Sequence, residues 1–87
     1  MAYDIIYTKK VIKKDIPNLS LSAKKLIKRA IEECLMSDPF AFGKPLKYAL
    51  HGQRSLRVSK YRIIYTIDSE KPIVTIIAIE HRKGVYN

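Results

Sequence analysis

Arg57 and Arg62 fall on two successive stretches of strand-forming residues, and Glu80, His81, Arg82 and Tyr86 crowd into seven positions near the C-terminal end of the chain. Arginine is a permanently charged, fork-shaped donor that matches phosphate oxygens. His81, Tyr86 and, less suitably, Glu80 are groups that transfer protons. Such a set could cleave RNA without a metal, because the 2′-hydroxyl supplies the nucleophile. The protein has only to align it, neutralise the phosphorane and assist proton transfer. Removing one stabilising donor from a site of this kind typically costs ~10²–10³ in rate. The same cluster also suits an ordinary basic tail whose tyrosine docks in a groove, and spacing alone leaves both readings open.

Other chemistries lack the residues they need. Cys34 is the single cysteine, set in the apolar stripe of a helix with no marked base beside it, as an inert core thiol would be. His51 and His81 are the two histidines, and the eight acids are scattered apart from the adjacent pair Glu80 and His81, so a metal site is not expected. Gly43, Gly52 and Gly84 are isolated, which leaves no glycine-rich loop to cradle a nucleotide. No cofactor is expected.

The elements that must position these side chains follow from periodicity. Residues 2–7 read as a strand, and the paired charges around Val11 and Ile12 as a short helix stopped by Pro17 and Asn18. Ser20 or Ser22 can cap a second helix, with Leu19 placed for a hydrophobic staple. In that helix Leu26, Ile27, Ala30, Ile31, Cys34 and Leu35 form one stripe and Lys24, Lys25, Lys28, Arg29, Glu32 and Glu33 cover the other side, with Lys28–Glu32 and Arg29–Glu33 able to pair. Asp38 and Pro39 end it. Residues 40–45 read as a loop whose Phe40 and Phe42 plug the edge of the core. Residues 54–59 alternate, and residues 61–67 and 73–79 are more apolar strands joined by a polar hairpin. The expectation is an α+β fold in the order β-α-α-β-β-β: one domain over residues 1–87, with a small antiparallel sheet and two N-terminal helices packed on one face.

The composition sets the partner class. Across 87 residues, 17 Lys and Arg against 8 Asp and Glu leave a net charge of +9, while 47% hydrophobic residues argue against disorder. Residues 1–43 carry +3 and residues 44–87 carry +6. If the helices cover one sheet face, Arg54, Arg57 and Arg62, with Lys44, Lys47, Arg82 and Lys83, gather on or around the other as a surface for phosphate backbones. Tyr48, Tyr61 and Tyr65 could stack on bases there, although as individual side chains they read as core. The lysines of residues 9–14 and 24–29 read as solvated helix faces. The N-terminal residues carry charges and no cleavage pattern, and the lone cysteine suits a reducing compartment, so a cytoplasmic location is expected.

Further motifs carry a resemblance. Lys44-Pro45-Leu46-Lys47 is followed by Leu50 and Gly52, then by Leu56-Arg57-Val58, Tyr61-Arg62-Ile63-Ile64-Tyr65, His81-Arg82-Lys83 and Val85-Tyr86. In this order and spacing they resemble the RelE/ParE superfamily of toxins from type II toxin–antitoxin modules, and the RelE-like branch in particular. The resemblance implies a metal-independent mRNA interferase that cleaves message in the ribosomal A site and so blocks translation. By position, Arg57 and Arg62 look like the arginines facing the scissile phosphate, Arg82 like the transition-state arginine, and Tyr86 like the tyrosine that stacks on a base and assists proton transfer. His81 is placed as a base or acid. Lys44, Lys47, Arg54 and Lys83 are the RNA-binding set.

The chain departs from that pattern just before Leu56. RelE itself has two lysines there, one implicated as the base, where this chain has Gln53, Arg54 and Ser55. Unless Arg54 takes over, proton abstraction falls to His81 or Tyr86. Two alternatives accompany this reading: a ParE-like inhibitor of DNA gyrase, and a degenerate module that binds RNA or antitoxin without cleaving. The implied partner is an acidic, RelB-like antitoxin that folds onto a monomeric toxin within a hetero-oligomer and hinders its C-terminal segment, as the charge of +9 also favours.

Overall fold

The computed structural model describes residues 2–46 and 52–81. The chain runs through β1 (Asp4–Tyr7), a wide helical turn (Val11–Asp15) and helix α1 (Leu21–Ala30), which continues into a second wide turn (Ile31–Leu35). A one-turn helix α2 (Pro39–Phe42) and a short strand β2 (Lys44–Pro45) precede β3 (Arg54–Val58), β4 (Tyr61–Ile67) and β5 (Ile73–His81). The expected α+β order is present, and α2 and β2 fill the stretch read as a loop.

The five strands form one sheet in the order β1-β5-β4-β3-β2. From β2 to β5 every pairing is antiparallel. The edge strand β1 instead runs parallel to β5, with Asp4 opposite Ile73 and Tyr7 opposite Ile76, where an antiparallel neighbour was expected. Strands joined by a hairpin must alternate in direction; β1 and β5 lie at opposite ends of the described chain, so no turn dictates their relative sense.

Two turns set the sheet's register. Ser59 adopts φ 54°, ending β3 at Val58, and Ser59 and Lys60 close a two-residue loop that places Val58 opposite Tyr61. Between β4 and β5 the Asp68 carboxylate accepts the N–H groups of Glu70 and Lys71, both at 2.8 Å, which holds its pKa below the ordinary value.

The helical segments cover one face. Val11, Ile27, Ile31 and Leu35 pack on Leu56, Val58, Ile63, Tyr65, Val74, Ile76 and Ile79. Ser20 is the cap chosen by the chain, accepting the Ala23 N–H at 3.1 Å. Ala23, Ile27, Ile31 and Leu35 form the buried row, while Leu26 is exposed. A strict four-residue spacing drifts around an ordinary α-helix, and the wide turn, with the Met36 N–H bonding back to the Ile31 carbonyl at 3.0 Å, keeps Leu35 in line with Ile31. Cys34 packs against the core, and burial, then the Glu33 carboxylate, push its thiol pKa up and disfavour the thiolate. Of the two expected ion pairs, the one formed is Arg29–Glu33, at 2.9 Å.

Candidate nucleic-acid interface

Alternation along β3 separates its arginines. Leu56 and Val58 enter the core, so Arg57 stands on the opposite face, directly across from Arg62 of β4. Arg62 in turn lies opposite Glu80 of β5 and donates to its Oε1 at 3.1 Å. The three side chains form a row across the face opposite the helices, beside the buried pair Ile64 and Ala78. Glu80 reaches this row because of a β-bulge: Tyr65 pairs with Ile76 but Ile64 with Ala78, leaving Ile77 as the extra residue. Without that residue every later side chain of β5 would face the other way. Arg57 is exposed and makes no ion pair among the described residues.

Lys44 lies opposite Ser55 and so on the face of Arg57. Phe42, Lys44, Pro45 and Leu46 form one wall of a cleft of about 460 Å³, with Arg57 and Arg62 on the other. The backbone before β2 is pinned from beneath. The Tyr65 hydroxyl, in the core, donates to the Pro39 carbonyl at 2.7 Å, and the Arg54 guanidinium donates to the carbonyls of Phe40 at 2.7 Å and Gly43 at 2.9 Å. Burial pushes the Tyr65 phenol pKa up despite the nearby Arg54 charge, so the hydroxyl keeps its proton.

Two expectations change here. Arg54 shares its parity with Leu56, so it lies on the helix side of the sheet and ties β3 to α2 instead of joining Arg57 and Arg62. Phe40 and Phe42 do not plug the core: they are 58% and 52% exposed, and Pro39 is the buried residue of that turn. A half-exposed Phe42 beside three cations is the functional candidate that sequence reading missed. Its signal was an aromatic outside any periodic stretch, next to Lys44.

His81 is not brought to the arginine row. It lies opposite Tyr61, whose ring packs against the core, and the two rings meet edge to face with centroids 5.0 Å apart. Lys47, Arg82, Lys83 and Tyr86 lie outside the described residues. Among the described residues no three His, Cys, Asp or Glu side chains converge as metal ligands, and no helix is long and apolar enough to cross a membrane.

A second cleft, of about 320 Å³, opens on the helix side between Tyr7, Ile16, Leu19, Ile27, Ile31 and Ile79. It is apolar, with Lys24 and Lys28 at its border.

A family model described as ParE toxin of type II toxin-antitoxin system, parDE, matches residues 5–86. The chain belongs to this family, within the RelE/ParE superfamily. Among curated proteins it is similar to Toxin RelG of Mycobacterium tuberculosis, with 40% identity over 52 residues, 60% of either chain. The match thus spans under two thirds of that relative. Among solved structures it is similar to the toxin–antitoxin complex RelBE2 of M. tuberculosis, at 29% identity and a TM-score of 0.85 over 94% of this chain and 93% of that one. The RelB–RelE complex of Methanococcus jannaschii is similar at 26% identity and a TM-score of 0.73, over 93% of this chain and 94% of that one. The RelE/ParE fold accounts for the five-stranded sheet and its helical cover.

Proposed function

We propose that this RelE/ParE member is a ribosome-dependent mRNA interferase that cleaves message in the A site by attack of the 2′-hydroxyl, without a metal. The observation that carries this reading is the Arg57–Arg62 pair. Like charges directly across a strand pair oppose the sheet by up to about 1 kcal/mol. Such an arrangement is useful when a phosphate lies between them, because it draws two forked donors to one anion. Arg62 keeps Glu80 as its counter-ion, which holds the guanidinium in place; Arg57 is left to meet the scissile phosphate, and Lys44 meets its neighbour. In this reading Arg82 adds the charge that stabilises the transition state, and Tyr86 stacks on a base and assists proton transfer. Lys47 and Lys83 extend the phosphate contacts. His81 serves proton transfer only if its ring leaves Tyr61.

The partner proposed is an acidic antitoxin; the similar solved structures are toxin–antitoxin complexes. The apolar helix-side cleft bordered by Lys24 and Lys28 suits an amphipathic acidic segment that folds on binding. A cytoplasmic location goes with a ribosomal substrate.

The family description names ParE, and the ParE-like alternative is inhibition of DNA gyrase; one experiment separates the two readings. Primer extension on message from a cell-free translation reaction, with gyrase supercoiling assayed in parallel, compares wild type with Arg57→Ala. Cuts at ribosome-occupied codons, weakened ~10²–10³-fold by the substitution, are the expected result. Intact message with inhibited gyrase would replace this reading by the second, and neither effect would leave a binding module.

A further inference from the structure

Phe42 has no role in the reading above, yet its placement is overdetermined. Within four residues the backbone around it is held by the Tyr65 hydroxyl on Pro39, by Arg54 on Phe40 and Gly43, and by the Asp38 carboxylate, which accepts the Ala41 N–H at 3.1 Å. Phe40 and Phe42 are similarly exposed but differently used. The Arg54 guanidinium lies over the Phe40 ring, 5.7 Å from its centroid, so a cation already occupies that face. The Phe42 ring instead walls the cleft that Lys44, Arg57 and Arg62 border. An aromatic ring half open to water on a held backbone, within reach of phosphate-binding cations, matches the two features by which single-stranded nucleic acids are bound: a face to stack a base and charges to neutralise a backbone.

We propose that Phe42 is a stacking platform for one unpaired base of the RNA, next to the phosphates held by Lys44 and Arg57. This rests on the interferase reading and gives it a base-contacting subsite. The cleft volume lies within the ~300–1,000 Å³ range of small-molecule sites, enough for a nucleobase with its phosphate. An acidic protein segment is the less favoured occupant, because an amphipathic helix needs an apolar seat and the chain offers one on the opposite, helix-covered side. Stacking is tolerant of sequence, so Phe42 would accept any unpaired base without reading hydrogen-bond patterns.

The chain contains no tryptophan, so Phe42→Trp introduces a unique fluorophore at the platform and Phe40→Trp a control close by in the same turn. The probe is a single-stranded 2′-O-methyl oligoribonucleotide, which cannot be cleaved. Saturating RNA is expected to quench the indole of Phe42→Trp and leave that of Phe40→Trp unchanged, while poly-glutamate quenches neither. Phe42→Leu, which keeps apolar bulk but no ring, is expected to weaken binding about tenfold, and Phe42→Tyr to restore it. Melting temperatures equal to wild type would confirm that the exposed substitutions leave the fold intact. Binding without quenching, or equal affinity for Phe42→Leu, would overturn the proposal, as would equal quenching by poly-glutamate. Site-specific cutting by wild type with no quench would sink this subsite alone; quenching with no cutting would keep the subsite and sink the interferase reading.

Discussion

At Gly43 a side chain has no room. The backbone there is extended, with φ −97°, so any residue could adopt it; what forbids one is space, since a Cβ would overlap the Tyr65 hydroxyl oxygen and lie 2.7 Å from Cζ. Tyr65 cannot withdraw, because it is fully buried and its hydroxyl is bonded to Pro39. Gly43→Ala is therefore expected to cost about 1–3 kcal/mol, as overpacking does. Tyr65→Phe loses the buried hydrogen bond to Pro39, about 1 kcal/mol. Because the missing hydroxyl also removes the worst overlap, the double variant is expected to be more stable than the two losses added together. Urea denaturation of the four proteins measures that coupling, and strict additivity would show that the corner shifts instead of pressing on the ring. Residue-scale logic is partly legible in the sequence. Strand alternation puts Arg57 and Leu56 on opposite faces, and the same rule separates Arg54 from the basic cluster by placing it on the side of Leu56.

Elements depend on contacts that no local pattern encodes. The helix with its Ser20 cap and the strands β4 and β5 follow from periodicity and β-branched composition. The parallel sense of β1 and the bulge at Ile77 do not, because each is set against a strand distant in sequence. Asp15 illustrates this. Beyond Ile76 the strand β5 outruns β1, and the Ile79 N–H would be left at a bare edge. The Asp15 carboxylate, 13% exposed and paired with Lys10 at 3.1 Å, accepts it at 2.9 Å across 64 residues of chain. It thus fixes β5 two residues ahead of His81, where the strand hands on to the segment carrying Arg82 and Tyr86. Asp15→Ala is expected to destabilise the fold by about 1–3 kcal/mol and to speed amide exchange at Ile79. Asp15→Asn, which keeps an acceptor oxygen but no charge, is expected to fall between. Unchanged protection at Ile79 in the alanine variant would mean that the edge is covered by another group.

Across the whole molecule the charge of +9 does two things that salt can separate. Cations spread over the helix faces, such as Lys13 and Lys14, raise the positive potential everywhere and steer an anionic partner from a distance. Cations in the cleft displace counter-ions from particular phosphates. For single strands the logarithm of affinity falls against the logarithm of salt with a slope of about −0.7 for each phosphate neutralised. Arg57→Ala is therefore expected to make that slope shallower by about 0.7 for a 2′-O-methyl oligoribonucleotide, one phosphate fewer. Lys13→Gln combined with Lys14→Gln is expected to leave the slope alone and to slow association at low salt, with the difference vanishing as the Debye length contracts below about 8 Å. A slope that dropped equally in both variants would mean that RNA lies diffusely over the whole basic surface. A slope that responds to Arg57 and not to the helix lysines locates the backbone on the sheet face opposite the helices, where the two arginines meet.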